Sequence, residues 1–256
     1  MTTSYTNFSK IIAIALIVLC GVLLLIWFEA EPTDAGEDDS SHPFLGAQSL
    51  SHDDTVTSVA FSPDGARAAT ASTDGIVKIW NIESNEAIDT IQAVRAHPEM
   101  VMSVHFSADG TRLITASRDT TARVWDANSG AALLALEGHS DAVTSAQFSP
   151  DESRIVTASY DGTAQVWDAT NGNHLLTWEG HSEGVNSAAF SSDGRRVVTA
   201  SIDRTAAIWD AGTGDRIHVL RGHDSTVTSA AFSPDGQRIV TASMDSTASI
   251  WDAETG

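Results

Sequence analysis

From residue 50 onward the chain alternates short apolar runs with clusters of Pro, Asp, Asn and Gly, and no stretch shows a helical period. A representative stretch contains four such runs, at Val143–Phe148, Arg154–Ser159, Thr163–Asp168 and residues 174–178. Runs of this length, rich in Val, Ile and Thr and bounded by turn residues, predict β-strands. Between two of them, Asp161 and Gly162 suit a tight hairpin, because Gly accepts a positive φ at low cost. The pattern therefore predicts a four-stranded antiparallel meander.

This meander recurs five times with one residue spacing. In each copy a His precedes a Ser by 20 positions, an Asp by 22 and a Trp by 28, and successive Trp residues lie 45, 42, 42 and 42 apart. A fixed period near 42 indicates a repeat architecture, with repeats at about 52–96, 97–138, 139–180, 181–222 and 223–256. One sheet cannot bury both of its faces, so we expect the copies to stack around an axis. The recurring residues are His52, Ser72, Asp74 and Trp80; His97, Ser117, Asp119 and Trp125; His139, Ser159, Asp161 and Trp167; His181, Ser201, Asp203 and Trp209; and His223, Ser243, Asp245 and Trp251.

These repeats resemble those of the WD-repeat β-propeller family. The resemblance covers about residues 44–256 and rests on Trp-Asp pairs at 125, 167, 209 and 251 and on Gly before His139, His181 and His223. The departures are Ser51 and Ala96 in place of that Gly, Asn81 in place of the Asp after Trp80, and Glu152 in place of a turn Gly. The resemblance implies an all-β fold, a β-propeller of five four-stranded antiparallel blades that forms a closed ring or an incomplete arc.

The His, Ser and Asp sets could also be interpreted as the nucleophile system of a hydrolase. Five equivalent triads in one chain have no catalytic logic, whereas a structural network needs one copy per blade. In the family, the Trp indole N–H donates to the Ser hydroxyl, the Ser meets the His, and the other imidazole nitrogen meets the Asp. The resemblance thus implies a structural tetrad in each blade, and we expect no catalytic residues and no enzyme activity.

We likewise expect no metal, cofactor or small-molecule substrate. The Ser-Pro-Asp-Gly runs at 62–65 and 233–236 are rich in oxygen ligands, but a calcium loop of the EF-hand type needs more acidic positions and a distal Glu. We interpret them as β-turns. The single Cys20 excludes a Cys-based zinc site and an intrachain disulfide.

The amino-terminal region has a different composition. Residues 11–28, after a short tail at 1–10, are 18 residues without charge, long enough as a helix of ~27 Å to span a membrane. We predict one uncleaved transmembrane helix; a cleaved signal peptide and a lipoprotein signal are the alternatives. Residues 29–43 contain six acids and no base and predict a flexible, solvated stalk. Lys10 precedes the apolar segment and the next base is Arg67, which favours the repeats on the non-cytoplasmic side, the periplasm if the source is bacterial.

The chain is strongly acidic, with 34 Asp and Glu against 14 Lys and Arg and a formal net charge of −20. This charge opposes nucleic acid and anionic lipid as partners of the soluble part. Several acids lie near the His positions: Asp53, Asp54, Glu99, Asp141, Glu183 and Asp224. They indicate either a negative face that steers a basic partner or a solvated surface that keeps a β-rich protein soluble.

Comparison of the five copies locates candidate partner-binding residues. The frame around each Asp is close to Thr-Ala-Ser-x-Asp, and x is Thr73, Arg118, Tyr160, Ile202 or Met244. The residue three after each His also varies, and includes Met100. In the family the corresponding loops lie on the top face and often contact partners. Unlike side chains at equivalent positions indicate either interface anchors or neutral drift at tolerant surface sites.

Ring closure depends on residues 44–50, which occupy the place of a fourth strand and could complete the fifth blade. We favour that closure over an incomplete arc, which would leave open blade faces liable to associate. The function we predict is a non-catalytic, membrane-anchored scaffold for protein–protein interaction. The alternatives are an incomplete paralogue without independent function and a propeller enzyme with a site at the central channel.

Overall fold

A computed structural model describes residues 15–19, 22–26, 50–82, 87–91 and 97–256, with 15–19, 22–26 and 87–91 described as backbone. This part of the chain is all-β, with 21 strands. A two-stranded amino-terminal sheet, β1 (Ala15–Leu19) and β2 (Val22–Ile26), precedes five antiparallel sheets, the blades. Blade 1 is β3 (Val56–Phe61), β4 (Arg67–Ser72), β5 (Val77–Asn81) and β6 (Ala87–Ile91); blade 2 is β7 (Val101–Phe106), β8 (Arg112–Ser117), β9 (Thr121–Asp126) and β10 (Ala132–Glu137); blade 3 is β11 (Val143–Phe148), β12 (Arg154–Ser159), β13 (Thr163–Asp168) and β14 (His174–Glu179); blade 4 is β15 (Val185–Phe190), β16 (Arg196–Ser201), β17 (Thr205–Asp210) and β18 (Arg216–Arg221); and blade 5 is β19 (Val227–Phe232), β20 (Arg238–Ser243) and β21 (Ala248–Asp252).

The predicted meander is confirmed. In blade 3 the first three strands have the predicted bounds, and the fourth, β14, extends one residue further, to Glu179. The strands pair in chain order, and Gly162 in the β12–β13 turn has a φ of 85°. In all five blades the pairing of the first two strands shifts register near the start of the first strand, as between Val143 and Ser145. Such a bulge increases the local twist of the innermost strand.

The apolar core lies between blades rather than within them. Four buried clusters each join two consecutive blades, and the innermost strands β3, β7, β11, β15 and β19 contact one another in that order. Small residues such as Ala146 and Ala188 are buried on these strands and allow the close approach. Each sheet therefore covers the apolar face of its neighbour, as the repeat pattern predicts.

An arginine at the start of the second strand also joins each blade to the next. In blade 3, Arg154 donates to the carbonyl oxygens of Ala211 and Gly194 in blade 4, both at 2.6 Å, and its guanidinium lies 5.4 Å from the Phe190 ring centroid. We call this set of contacts the seam. Equivalent seams are made by Arg67, Arg112 and Arg196.

In one seam a residue with a strained backbone conformation makes additional hydrogen bonds. Glu152, which replaces a turn Gly, has a φ of 58°, a left-handed conformation that is unfavourable for a side chain. Its carboxylate accepts from the Arg112 guanidinium at 3.0 Å and from the Asp109 backbone N–H at 2.7 Å. These charge-assisted bonds offset the backbone strain.

The helix predicted over residues 11–28 is not supported by the residues that the structure describes. Ala15–Leu19 and Val22–Ile26 are strands, paired antiparallel from Ala15 with Ile26 to Leu19 with Val22. These ten residues include five Leu, which favours helices, and four Val or Ile, which favour strands, and an unbroken apolar run carries no period that separates the two structures. Within the described residues, no helix has the length and apolar character needed to cross a membrane. The predicted tail at 1–10 and stalk at 29–43 lie outside the described residues.

The two end blades carry apolar side chains that are exposed among the described residues. Val56 and Phe61 of blade 1 are exposed, Phe61 at 59%, although the equivalent Val positions in blades 2–5 are fully buried. Ile250 of blade 5 is 71% exposed, although the equivalent residues in blades 1–4 are fully buried. Among the described residues, blades 1 and 5 thus lack the packing that joins consecutive blades. Of the segment predicted to close the ring, Leu50 is exposed and outside any strand, and residues 44–49 lie outside the described part.

Candidate functional site

The His and Trp side chains meet in every blade, but through a Thr that precedes the predicted Ser by two positions. In blade 3 the Trp167 indole N–H donates to Thr157 Oγ1 at 2.9 Å, and the same oxygen lies 2.8 Å from His139 Nε2. The equivalent hub residues are Thr70, Thr115, Thr199 and Thr241. The predicted role of Ser72, Ser117, Ser159, Ser201 and Ser243 in this network is therefore wrong.

Chemistry sets the direction of the bonds. The Asp161 carboxylate can only accept, so the neutral imidazole carries its proton on Nδ1, 2.8 Å from Asp161 Oδ2, and its Nε2 accepts the proton of the Thr157 hydroxyl. The Trp167 indole N–H can only donate, and the same hydroxyl oxygen accepts it. The corresponding His–Asp distances in blades 2, 4 and 5 are 2.8–2.9 Å. A network of this kind satisfies polar groups that packing removes from water.

In blades 2–5 a second Thr orients the carboxylate. Thr163 donates to Asp161 Oδ1 through its hydroxyl at 2.7 Å and its backbone N–H at 2.9 Å, and the Ser140 N–H donates to Oδ2 at 3.0 Å. Burial alone would raise the pKa of Asp161, but the bonds from Thr163 and His139 lower it below its ordinary value. Burial lowers the pKa of His139. At neutral pH both shifts favour the charged carboxylate and the neutral imidazole.

Blade 1 departs from this arrangement. His52 Nε2 meets Thr70 at 2.6 Å, but His52 Nδ1 is buried with no hydrogen-bond partner among the described residues. Ile76 stands where the other four blades have the orienting Thr, so Asp74 lacks the hydroxyl that positions its carboxylate elsewhere. The least regular repeat in sequence is thus also the least satisfied network.

The predicted Ser residues connect the loops instead. In blade 3 the Ser159 hydroxyl donates to the Asp141 carbonyl at 3.0 Å and accepts the Asp161 backbone N–H at 3.1 Å. Equivalent bonds occur for Ser117, Ser201 and Ser243. In blades 2–5 the Ser therefore ties the loop after the His to the turn that holds the Asp, and the two loops form one rigid unit. In blade 1 the Ser72 hydroxyl is buried with no hydrogen-bond partner among the described residues.

The two sets of variable positions lie side by side on these loops. In each blade the backbone N–H of the x residue donates to the carbonyl of the residue three after the His, as Tyr160 does to Ala142 at 3.0 Å. The other pairs are Thr73 with Thr55, Arg118 with Met100, Ile202 with Gly184 and Met244 with Thr226. Arg118, Tyr160, Ile202 and Met244 are exposed, whereas Thr73 and Met100 are half-buried. We call the surface formed by these ten residues the loop face.

The loop face has an apolar centre where blades 3 and 4 adjoin. A Cβ on Gly184 would lie 2.9 Å from Tyr160 Cδ1 and 3.2 Å from Ile202 Cδ1. The absent side chain of Gly184 thus lets Tyr160 and Ile202 approach from neighbouring blades. These two side chains remain 41% and 38% exposed, so a rigid loop pair presents apolar surface to solvent. The acids predicted near the His loops, Asp53, Asp54, Glu99, Asp141, Glu183 and Asp224, are all exposed, and Asp141 and Glu183 belong to the same two blades as Tyr160 and Ile202.

In the Ser-Pro-Asp-Gly turns the Asp carboxylate accepts hydrogen bonds from groups of the same turn. In the turn at 233–236, the Ser233 hydroxyl donates to Asp235 Oδ1, and the Gln237 backbone N–H donates to the same carboxylate at 3.0 Å. In the equivalent turn of blade 3, bonds from Ser149 and Ser153 lower the pKa of Asp151 to about 2. Within the described residues, no group of three or more His, Cys, Asp or Glu is placed to hold a metal ion.

The hub threonines do not present a reactive hydroxyl. The Thr–His–Asp order matches that of a nucleophile, its base and an orienting acid. However, Thr115, Thr157 and Thr199 are fully buried, and the hydroxyl oxygen of each is occupied by an indole N–H. A substrate cannot reach such an oxygen without opening the blade.

A match with one known protein family accounts for the recurring residue spacing of the repeats. The family pattern described as WD domain, G-beta repeat matches residues 47–81, 88–126, 130–168, 172–210 and 214–252. The chain belongs to this family. Each of the last four matches begins near the outer strand of one blade and ends with the third strand of the next, for example β10 to β13. WD repeats of this type indicate a protein-interaction scaffold.

Similarity to individual proteins is local. The chain is 49% identical over 39 residues to periodic tryptophan protein 2 of Saccharomyces cerevisiae. The aligned part is 15% of this chain and 4% of that protein, so the chain spans a small fraction of its relative. The length of the aligned stretch is close to that of one repeat, and the similarity therefore supports the repeat assignment alone.

Proposed function

We propose that this WD-repeat domain is a non-catalytic scaffold that binds a protein partner through the loop face. The observation that carries the proposal is the contact between Tyr160, Gly184 and Ile202, which combines two exposed apolar side chains with hydrogen-bonded loops. Large apolar side chains held in a fixed geometry make good anchors, because binding immobilises little that was free before.

The acids around this centre define the chemistry of the partner. Asp141 and Glu183 are exposed on the same two blades as Tyr160 and Ile202. An acidic rim raises the association rate of a basic partner and loses strength as salt screens it. The partner we propose carries an apolar residue for the Tyr160–Ile202 centre, flanked by Lys or Arg.

Photo-crosslinking from the loop face tests this proposal. A benzophenone amino acid at position 160 or 244 is expected to capture the same protein, whereas one at Leu175, exposed on the outer strand β14, is not. Ile202→Asp is expected to lower the yield at position 160 about tenfold or more, because a desolvated anchor contributes about 2 kcal/mol or more. The matched control is Ile217→Asp in the same blade, where Ile217 is 41% exposed on the outer strand. Equal loss with both variants, or equal capture at position 175, would refute the loop face as the binding site.

We further propose that the apolar segment at 11–28 attaches the domain to a membrane, with the repeats on the non-cytoplasmic side. The support is the run of 18 uncharged, mostly apolar residues and the absence of Lys and Arg between that run and Arg67. Deletion of residues 11–28 is expected to move the protein from the alkali-resistant membrane fraction to the supernatant. Extraction of the full-length chain by alkaline carbonate would contradict the attachment. Protection of the repeats from protease in sealed vesicles tests on which side of the membrane they lie.

A further inference from the structure

The seam occurs four times within the chain. The arginine of a fifth seam is present on blade 5, and the Phe that would receive it is present on blade 1. Within each seam, the arginine of one blade contacts the Phe that ends the first strand of the next blade, together with two backbone carbonyls there. Every Arg that makes a seam is half-buried. The arrangement is directional, since the donor always belongs to the blade that comes first in the chain.

Blade 5 presents an unfilled donor half. Arg238 is equivalent to Arg196, which donates to Ala253 and Gly236 at 3.0 and 2.6 Å and covers the Phe232 ring at 5.2 Å. Arg238 is exposed instead, and within the described residues its guanidinium has no hydrogen bond or ring contact. Ile250 on the same face is also uncovered.

Blade 1 presents the matching acceptor half. Phe61 is the residue over which an arginine lies in the other four blades, and no described guanidinium covers it. Gly65 is equivalent to Gly236 and Gly194, beside which the seam arginine lies 3.5–3.7 Å from the Cβ position. A Cβ on Gly65 would meet nothing within 4 Å. The first blade thus has the receptor of a seam without its arginine.

We propose that a second copy of this chain fills the seam, with blade 1 of one copy packed on blade 5 of the other through Phe61 and Arg238. This contact would continue an interface that the molecule already uses four times, with the same donor, ring and carbonyl positions. Phe61 and Ile250 are exposed although β1 lies beside β3 and β2 beside β19. The contact is head-to-tail, because each copy uses a different face on each side. It is separate from the loop face and goes beyond the proposed function.

Analytical ultracentrifugation of the full-length chain in mild detergent, from about 1 to about 100 μM, tests the contact. The wild type is expected to associate reversibly, and more strongly at raised salt, because the net charge of −20 opposes self-association until it is screened. Arg238→Ala and Phe61→Ala are each expected to weaken association about tenfold or more. Both residues are exposed, so neither change should disturb the fold of a single copy.

Mixing the two variants gives the decisive readout. Phe61→Ala retains an intact blade 5 face and Arg238→Ala an intact blade 1 face, so their equimolar mixture is expected to recover association that stops at two copies. Ile250→Asp is expected to act like Arg238→Ala, and Ile217→Asp, on the outer strand, like the wild type. A monomeric wild type at the highest concentration, association unaffected by these substitutions, or no recovery on mixing would each overturn the proposal. If Arg238→Ala also destabilised a monomeric wild type, the seam would be closed within one chain instead.

Discussion

Replacing Thr157 by Val is expected to lower the free energy of unfolding by about 2–5 kcal/mol, because the hub hydroxyl serves two buried partners. Val keeps the shape of the side chain but removes the acceptor for the Trp167 indole N–H at 2.9 Å and the donor to His139 Nε2 at 2.8 Å. Each partner left without a bond costs about 1–3 kcal/mol. Urea unfolding followed by tryptophan fluorescence measures the loss.

Thr157→Ser is the matched control, since it keeps the hydroxyl and removes one methyl group. Its expected cost is about 1 kcal/mol, the value for one buried carbon with a small cavity. The hub role would be disproved by equal losses for the two variants, or by a Thr157→Val protein within about 0.5 kcal/mol of the wild type.

The sequence could locate these networks but not the residue at their centre. Thr157 and Ser159 recur in all five copies, and both lie on the same face of one strand because side chains alternate with a period of two. Spacing alone therefore admits either hydroxyl as the partner of His139. The orienting residue Thr163 and its replacement by Ile76 in the first copy were visible as well, but their significance depends on the carboxylate geometry.

The apolar run at 11–28 shows a different kind of limit. A buried strand pair and a helix are both free of polar residues, and Val and Ile occur in each, so periodicity could not separate Ala15–Leu19 and Val22–Ile26 from a helix. Length favoured the helix, and the structure has strands. The exposure of Phe61 and Ile250 could not be predicted from the sequence either, because both occupy the same pattern positions as their equivalents in the other blades.

Replacing Arg154 by Ala is expected to lower the free energy of unfolding by about 2–4 kcal/mol, because two charge-assisted hydrogen bonds and a cation–π contact disappear together. The carbonyls of Ala211 and Gly194, each 2.6 Å from the guanidinium, would lose a charged donor, and the Phe190 ring would lose its cover. Arg154→Lys should recover only part of the loss, since an ammonium group cannot match the planar fork that reaches both carbonyls. Urea unfolding of both variants gives these values.

The chain itself offers the control. Arg238→Ala makes the same substitution at the same position of another repeat, but its guanidinium contacts no neighbouring blade among the described residues. At protein concentrations that keep copies apart, its effect is expected to stay within about 0.5 kcal/mol. Comparable losses for Arg154→Ala and Arg238→Ala would show that the arginine acts within its own blade, for instance on its turn. A large difference would mean that stability depends on contacts between blades, so that the same residue is structural inside the series and available for association at its end.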